Sequence, residues 1–136
     1  EPQEPLRRFL AHSPGAGLNV AFSPDGKRLV MSDKGYTVKI CEVESTTEEP
    51  LVLRGHNGDV YTVAFSPDGR WVASGGEDST VKVWDSHTGR LVRSFRGHKG
   101  LVSSLAFRDN RTLISGSRDR TVKLWDLTRL AEGPNR

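Results

Sequence analysis

A seven-residue run, Val20-Ala21-Phe22-Ser23-Pro24-Asp25-Gly26, returns unchanged 43 residues later at Val63–Gly69. It comes back worn, as Leu105-Ala106-Phe107-Arg108-Asp109-Asn110, a further 42 residues along. A second run, Thr80-Val81-Lys82-Val83-Trp84-Asp85, matches Thr121–Asp126 at a spacing of 41 and Thr37–Glu42 at 43. Gly55-His56 and Gly97-His98 stand 42 apart, with Ala11-His12 as a weaker first copy. A period of this length marks one supersecondary unit per repeat, each unable to bury its apolar face alone and stacked on the next to do so. For 136 residues the constraint is severe, because three such units leave almost no chain for a separate domain.

Within each copy the punctuation spells short strands. In the second, Val60–Ser66 is rich in β-branched and aromatic residues and runs into Pro67-Asp68-Gly69, the residues of a tight turn. Trp71–Gly75 is the next strand, closed by the polar Gly76-Glu77-Asp78-Ser79. Thr80–Trp84 alternates, Val81 and Val83 facing one way and Lys82 the other, as in a half-buried strand. His87-Thr88-Gly89 then turns the chain into Leu91–Phe95, which Leu6–Leu10 and Leu51–Arg54 resemble. Three strands follow each of these segments, giving twelve in an all-β meander whose only hint of helix is a short tail near Thr128–Glu132. The order is offset: the chain starts on an outer strand and ends, at Leu124–Asp126, on an inner one.

These copies resemble the WD-repeat β-propeller family over about residues 6–127, through the Gly-His and Trp-Asp landmarks and the spacing between them. The match is specific in copies two and three. Copy one departs from it, with Cys41 in place of Trp, Glu42 in place of Asp and Ala11 in place of Gly. The resemblance implies all-β propeller blades, each a four-stranded antiparallel sheet, built from three WD-type repeats in one segment spanning 1–136. Repeat one falls at about 11–49, repeat two at 50–91 and repeat three at 92–127, followed by a tail at 128–136.

Three blades are too few for a ring, since closed propellers have roughly four to eight. An open stack would leave two apolar faces and an unpaired edge on the third blade, and such edges pair with whatever is available. Two routes to closure are expected. Either copies of the chain assemble as a dimer or trimer, Leu6–Leu10 of one completing the third blade of the next, or the partner blades lie within a longer parent chain. Opening at Glu1 without a Met, the chain reads as a processed or excised piece of something longer.

His, Ser, Asp and Trp recur together as His56, Ser74, Asp78 and Trp84, then as His98, Ser115, Asp119 and Trp125. A Ser/His/Asp set invites a catalytic reading. Repetition argues against it, because an enzyme needs one preorganised site and not one per repeat. The resemblance implies a structural tetrad instead, in which Asp holds His, His bonds Ser and Ser reaches the indole N–H. In copy one, Ser32 and His12 remain, but Gly35 stands where the Asp should be. The histidines His12, His56, His87 and His98 have neither a neighbouring Cys nor metal-site spacing, and no phosphate-cradling glycine motif is present. The expectation is therefore no catalytic residue, no metal and no cofactor.

By the same resemblance, partners bind at the rim where the chain enters the first strand of each repeat, and at the residue before the turn Asp. Those positions are Leu18, Tyr61 and Ser103, and Lys34, Glu77 and Arg118. Tyr61, an aromatic with a polar tip, has the character of an interface anchor. Charge is unevenly placed: residues 1–49 carry six basic and eight acidic side chains, residues 86–136 eleven and four. Arg118 and Arg120 could form a basic rim, yet no aromatic stacking pattern accompanies them, and charge alone supplies only non-specific nucleic-acid affinity. The expected role is a non-catalytic scaffold for protein or peptide partners. The alternatives are a regulatory or targeting module of a larger enzyme and a self-assembling structural unit. No run approaches the roughly 20 apolar residues of a membrane helix, and a single cysteine, Cys41, favours a reducing, cytoplasmic setting.

Overall fold

The computed structural model describes residues 19–32, 35–45 and 49–130. Eleven strands are present: β1 Val20–Phe22, β2 Arg28–Ser32, β3 Thr37–Glu42, β4 Leu51–Arg54, β5 Val60–Phe65, β6 Trp71–Gly76, β7 Val81–Asp85, β8 Leu91–Phe95, β9 Val102–Asp109, β10 Thr112–Ser117 and β11 Val122–Asp126. They form three antiparallel meanders, β1-β2-β3-β4, β5-β6-β7-β8 and β9-β10-β11. The expected strand at Leu6–Leu10 lies outside the described residues, as does the end of the tail. Leu127 to Leu130 make a single turn, with Leu130 N donating to Leu127 O at 3.1 Å. No helix among the described residues is long and apolar enough to cross a membrane.

Local chemistry sets the hairpins. In the β5–β6 turn, Ser66 Oγ donates to Asp68 Oδ1 at 2.7 Å. That carboxylate accepts Arg70 N at 3.0 Å and the hydroxyl accepts Trp71 N at 2.9 Å. Gly69 supplies the left-handed residue the turn requires, at φ 75°. The β1–β2 turn repeats the device through Ser23 and Asp25, at 2.7 Å. At the far end of β7, Asp85 Oδ1 caps the next turn by accepting His87 N at 2.8 Å and Thr88 N at 3.0 Å. The Asp of the Trp-Asp dipeptide is thus a turn residue.

The sequence repeats are offset from the sheets. Leu51–Arg54, which opens the second sequence copy, pairs with β3 in the first sheet, Val38 opposite Leu53. Each copy therefore begins on its predecessor's outer strand, which links neighbouring blades covalently.

Two apolar seams hold the stack. Val30, Val38, Ile40 and Leu53 of the first blade pack with Val63, Val72 and Trp84 of the second. Trp71, Ala73, Val81, Val83 and Phe95, on the other face of the second blade, pack with Val102, Leu113, Leu127 and Leu130. Trp71 is thus an inter-blade residue. Polar ties reinforce the first seam: Arg28 donates to Ser86 O and Ser86 Oγ, and Asn19 Oδ1 accepts Val63 N at 2.9 Å. In β7, all of Val81, Lys82, Val83 and Trp84 are buried, where alternation alone predicts one wet face. The middle blade is covered on both sides, and Lys82 keeps its ammonium satisfied on Ser94 Oγ at 2.8 Å.

The outer blades show the opposite. Val20 and Phe22 on β1 are 55% and 63% exposed, although Val63, the counterpart of Val20, is 5% exposed and Phe65, that of Phe22, is half-buried. Val122 and Leu124 on β11 are 68% and 59% exposed, although their counterparts Val81 and Val83 are fully buried. Both ends of the stack thus carry seam residues without a seam.

Gly76 gives a direct check on this packing, since a Cβ there would stand 2.1 Å from Asp59 O and 2.9 Å from Val60 Cα. Gly76→Ala is expected to destabilise the chain by about 1–3 kcal/mol in denaturant unfolding. Gly26→Ala, where nothing lies within 4 Å, should cost only about 1 kcal/mol for its left-handed backbone.

Candidate functional site

The second and third blades each carry a chain of hydrogen bonds running from the core to the loop end. Trp84 Nε1 donates to Ser74 Oγ at 2.8 Å, Ser74 Oγ meets His56 Nε2 at 2.7 Å, and His56 Nδ1 meets Asp78 Oδ2 at 3.0 Å. In the third blade Trp125, Ser115, His98 and Asp119 repeat these contacts at 2.8, 2.6 and 2.8 Å. Indole can only donate and a carboxylate can only accept, so the direction is set: the Ser hydroxyl donates to Nε2, and Nδ1–H donates to Asp. Gly55 and Gly97 permit the close approach, a Cβ at either position falling 3.2 Å from Cη2 of the tetrad Trp.

Burial pushes the His56 pKa down, against the pull of Asp78, and so keeps the ring neutral. Burial works against the Asp78 charge too, but the Asn57 N–H, His56 and the Thr80 hydroxyl outweigh it and hold the carboxyl at about 2. Asp119 is lowered further, chiefly by the Thr121 hydroxyl. Ser74 and Ser115 are fully buried, so neither hydroxyl can meet a substrate. Among the described residues, every buried side-chain nitrogen and oxygen has a partner, and no group of His, Cys, Asp or Glu could hold a metal ion. In the first blade Ser32 is fully buried and bonds Asn19 N at 3.3 Å, with half-buried Cys41 at the Trp position. His12 lies outside the described residues.

The tetrad Asp fixes two loops at once. Asp78 Oδ2 accepts Asn57 N at 2.9 Å from the loop after β4, and Asp78 Oδ1 accepts Thr80 N at 3.1 Å in the β6–β7 turn. Asp119 does the same with Lys99 N at 3.0 Å and Thr121 N at 2.8 Å. Glu77 and Arg118 sit on these fixed loops, while Tyr61 and Ser103 lie near the starts of β5 and β9. Glu77 and Arg118 precede the tetrad Asp and are exposed. Tyr61 is half-buried and Ser103 exposed. Both lie where register shifts, between Val60/Thr62 in one sheet and opposite Gly116/Ser117 in the other. A bulge of this kind turns its extra residue out of the ladder and re-aims the side chain. Leu18 and Lys34 lie outside the described residues.

The structure adds residues that sequence reading did not single out. Asp59 and Lys99 stand beside Glu77 and Arg118, and the repeat register was the available signal, since Asn57/Lys99 and Asp59/Leu101 are equivalent pairs. Tyr36, Ser79 and Arg120 occupy one equivalent position and share left-handed backbone, at φ 70°, 66° and 74°. At the opposite end of the blades, two clefts of about 270 and 230 Å³ flank Arg28 and His87 along the first seam. Their central cation, Arg28, is already committed to Ser86.

Ser74→Ala would strand the Trp84 N–H and the His56 ring nitrogen, at an expected cost on the order of 3 kcal/mol in chemical unfolding. Ser115→Ala should cost less, because Trp125 is only half-buried while Trp84 is 1% exposed. The tetrad also predicts acid sensitivity in two stages. The unfolded chain protonates its histidine more readily than folded His56 does, so stability declines as pH falls through about 6.5. Asp78 contributes stability above its ordinary 3.8 that disappears as pH falls towards about 2. Denaturant midpoints measured from pH 8 to 2.5 should show both stages, the first weakened in His56→Gln.

The family model "WD domain, G-beta repeat" matches residues 48–85 and 89–126. No curated protein sequence matches the chain. Among solved structures, that of U3-55K is 29% identical with a TM-score of 0.78, the match covering 90% of this chain and 38% of that one. The crystal structure of the RRP9 WD40 repeats gives the same identity, score and coverage. The chain thus spans about two fifths of the length of either. Two matched repeats over more than half the sequence, on stacked antiparallel blades with two complete tetrads, place the chain in the WD-repeat family of β-propellers.

Proposed function

We propose that the chain is a non-catalytic platform that binds a protein or peptide partner along the loop rim. The observation carrying this reading is the division of labour within the second and third blades. The tetrad locks the loops from below, while Tyr61, Glu77, Ser103 and Arg118 above it contribute nothing to the seams. Side chains carried on a fixed backbone suit recognition, because little backbone entropy remains to be lost on binding. The single cysteine, with no internal disulfide to form, favours a reducing compartment for this role.

Selection of a random displayed peptide library on the chain provides the test. Bound peptides should lose at least about tenfold in affinity on Tyr61→Ala, as expected of an aromatic anchor, with no change in melting temperature. Peptides indifferent to every rim substitution would overturn the reading.

A second reading concerns assembly and rests on the exposed end faces. Val122 and Leu124 repeat the chemistry of Val81 and Val83, and Val20 and Phe22 repeat that of Val63 and Phe65. The two ends therefore match as the two sides of one seam. We propose that further blades cover them, from a second or third copy of this chain or from a longer parent, the latter favoured by coverage of 38% of the matched structures. Light scattering decides for the chain alone. Self-assembly predicts a discrete dimer or trimer of the 15.0 kDa protomer that dissociates on Phe22→Ser with Leu124→Ser. A monomer at all concentrations would leave only the longer parent.

A further inference from the structure

The equivalent corners of the second and third blades differ in charge and in little else. Around Asp78 the exposed Glu77 and half-buried Asp59 make the second corner acidic, with neutral Asn57 and Ser79 beside them. Around Asp119 the same positions carry Lys99, Arg118 and Arg120, all exposed, with Leu101 in place of Asp59. We propose that these two adjacent corners recognise one charge-segregated peptide segment, its acidic part on the third blade and its basic part on the second. This rests on the rim being the partner-binding surface and names the partner's chemistry.

The backbone brings each set together. In the third blade, Lys99 N bonds Asp119 Oδ2 at 3.0 Å and Arg118 N bonds Leu101 O at 3.0 Å. A Cβ on Gly100 would lie 3.1 Å from Asp119 N and 3.4 Å from the Arg118 carbonyl carbon. The three cations therefore spring from two loops in van der Waals contact. In the second blade, Glu77 N bonds Asp59 O at 2.8 Å, and a Cβ on Gly58 would lie 2.9 Å from Glu77 Cβ.

None of the three cations is used by the fold. Lys99, Arg118 and Arg120 have no side-chain hydrogen bond or ion pair among the described residues. The Asp119 carboxylate does not absorb them, since it accepts from His98, Lys99 N and Thr121. Counting it, the third corner keeps an excess of two positive charges, while the second, with Asp78, carries three negative ones.

The alternation of sign also selects the class of partner. A nucleic acid following the rim would leave the cations of the third blade only to meet Asp59, Glu77 and Asp78 on the next. A polypeptide can match both corners, because its charge can change sign along its length. Complementary placement of this sort sets orientation and suppresses wrong partners more than it adds affinity.

Fluorescence anisotropy on the whole chain tests the inference with four labelled probes. These are a peptide with a Glu-rich half and a Lys-rich half, the same composition scrambled, the segregated peptide with phosphoserines replacing the glutamates, and a single-stranded oligonucleotide. The segregated peptide should bind at least about tenfold tighter than the scramble at low salt, the preference fading as salt screens it. Tighter binding of the phosphorylated version would identify phosphate as the anion preferred by the arginines. Lys99→Glu with Arg118→Glu and Arg120→Glu should abolish the preference, and Asp59→Lys with Glu77→Lys should abolish it independently. Equal binding of segregated and scrambled peptides, no binding of either, or tighter binding of the oligonucleotide would overturn the proposal. Library-selected peptides that are uncharged yet depend on Tyr61 would sink it while leaving the binding platform intact.

Discussion

A β-meander of this composition has two apolar faces, and neither can be left in water. The whole architecture follows from that. No helix is available among the described residues to cover a sheet, so blade must cover blade. The second blade shows the solution complete, with β6 and β7 buried on both faces between Val30, Val38 and Ile40 on one side and Val102, Leu113 and Leu127 on the other. At about 25 cal/mol per Å² of apolar surface removed from water, this burial is the dominant favourable term. The same need is unmet at Val20, Phe22, Val122 and Leu124, which is why the ends of the stack bear on assembly.

Packing sheets face to face creates a polar problem that the tetrad resolves. Bringing Trp84 into the first seam buries an indole N–H, and a buried donor without an acceptor is costly. Ser74 accepts it, His56 accepts from Ser74, and Asp78 ends the chain at the loop surface, where its remaining lone pairs pin two loops. A device required by the core thereby fixes the geometry of the rim. The rim side chains, not needed for packing, are left to vary, and the exchange of Asn57, Glu77 and Ser79 for Lys99, Arg118 and Arg120 shows how far they vary between adjacent blades.

Much of the fold was legible because its signals are local. Ser66, Asp68 and Gly69 form their turn from contacts within six residues, and each strand of the second copy lies within a residue or two of where the pattern places it. Burial was less legible. Alternation around Lys82 reads as a wet face, yet the residue is 5% exposed, its ammonium held on Ser94 of the adjacent strand. Of the proposed rim, Tyr61 and Arg118 were named through the family resemblance, whereas Asp59 and Lys99 gain meaning only when two loops distant in sequence are brought together.

What the sequence determined by itself is the unit: its period, its strands, its turns, and the identity of the residues that recur as His, Ser, Asp and Trp. These rest on short-range sterics and hydrogen bonding, which a local pattern encodes directly. Only the tertiary structure decided which strand faces are dry, which apolar residues lack a covering blade, and how opposite charges fall on adjacent corners. Those properties depend on stacking between segments about forty residues apart, and a one-dimensional pattern carries no record of which faces meet.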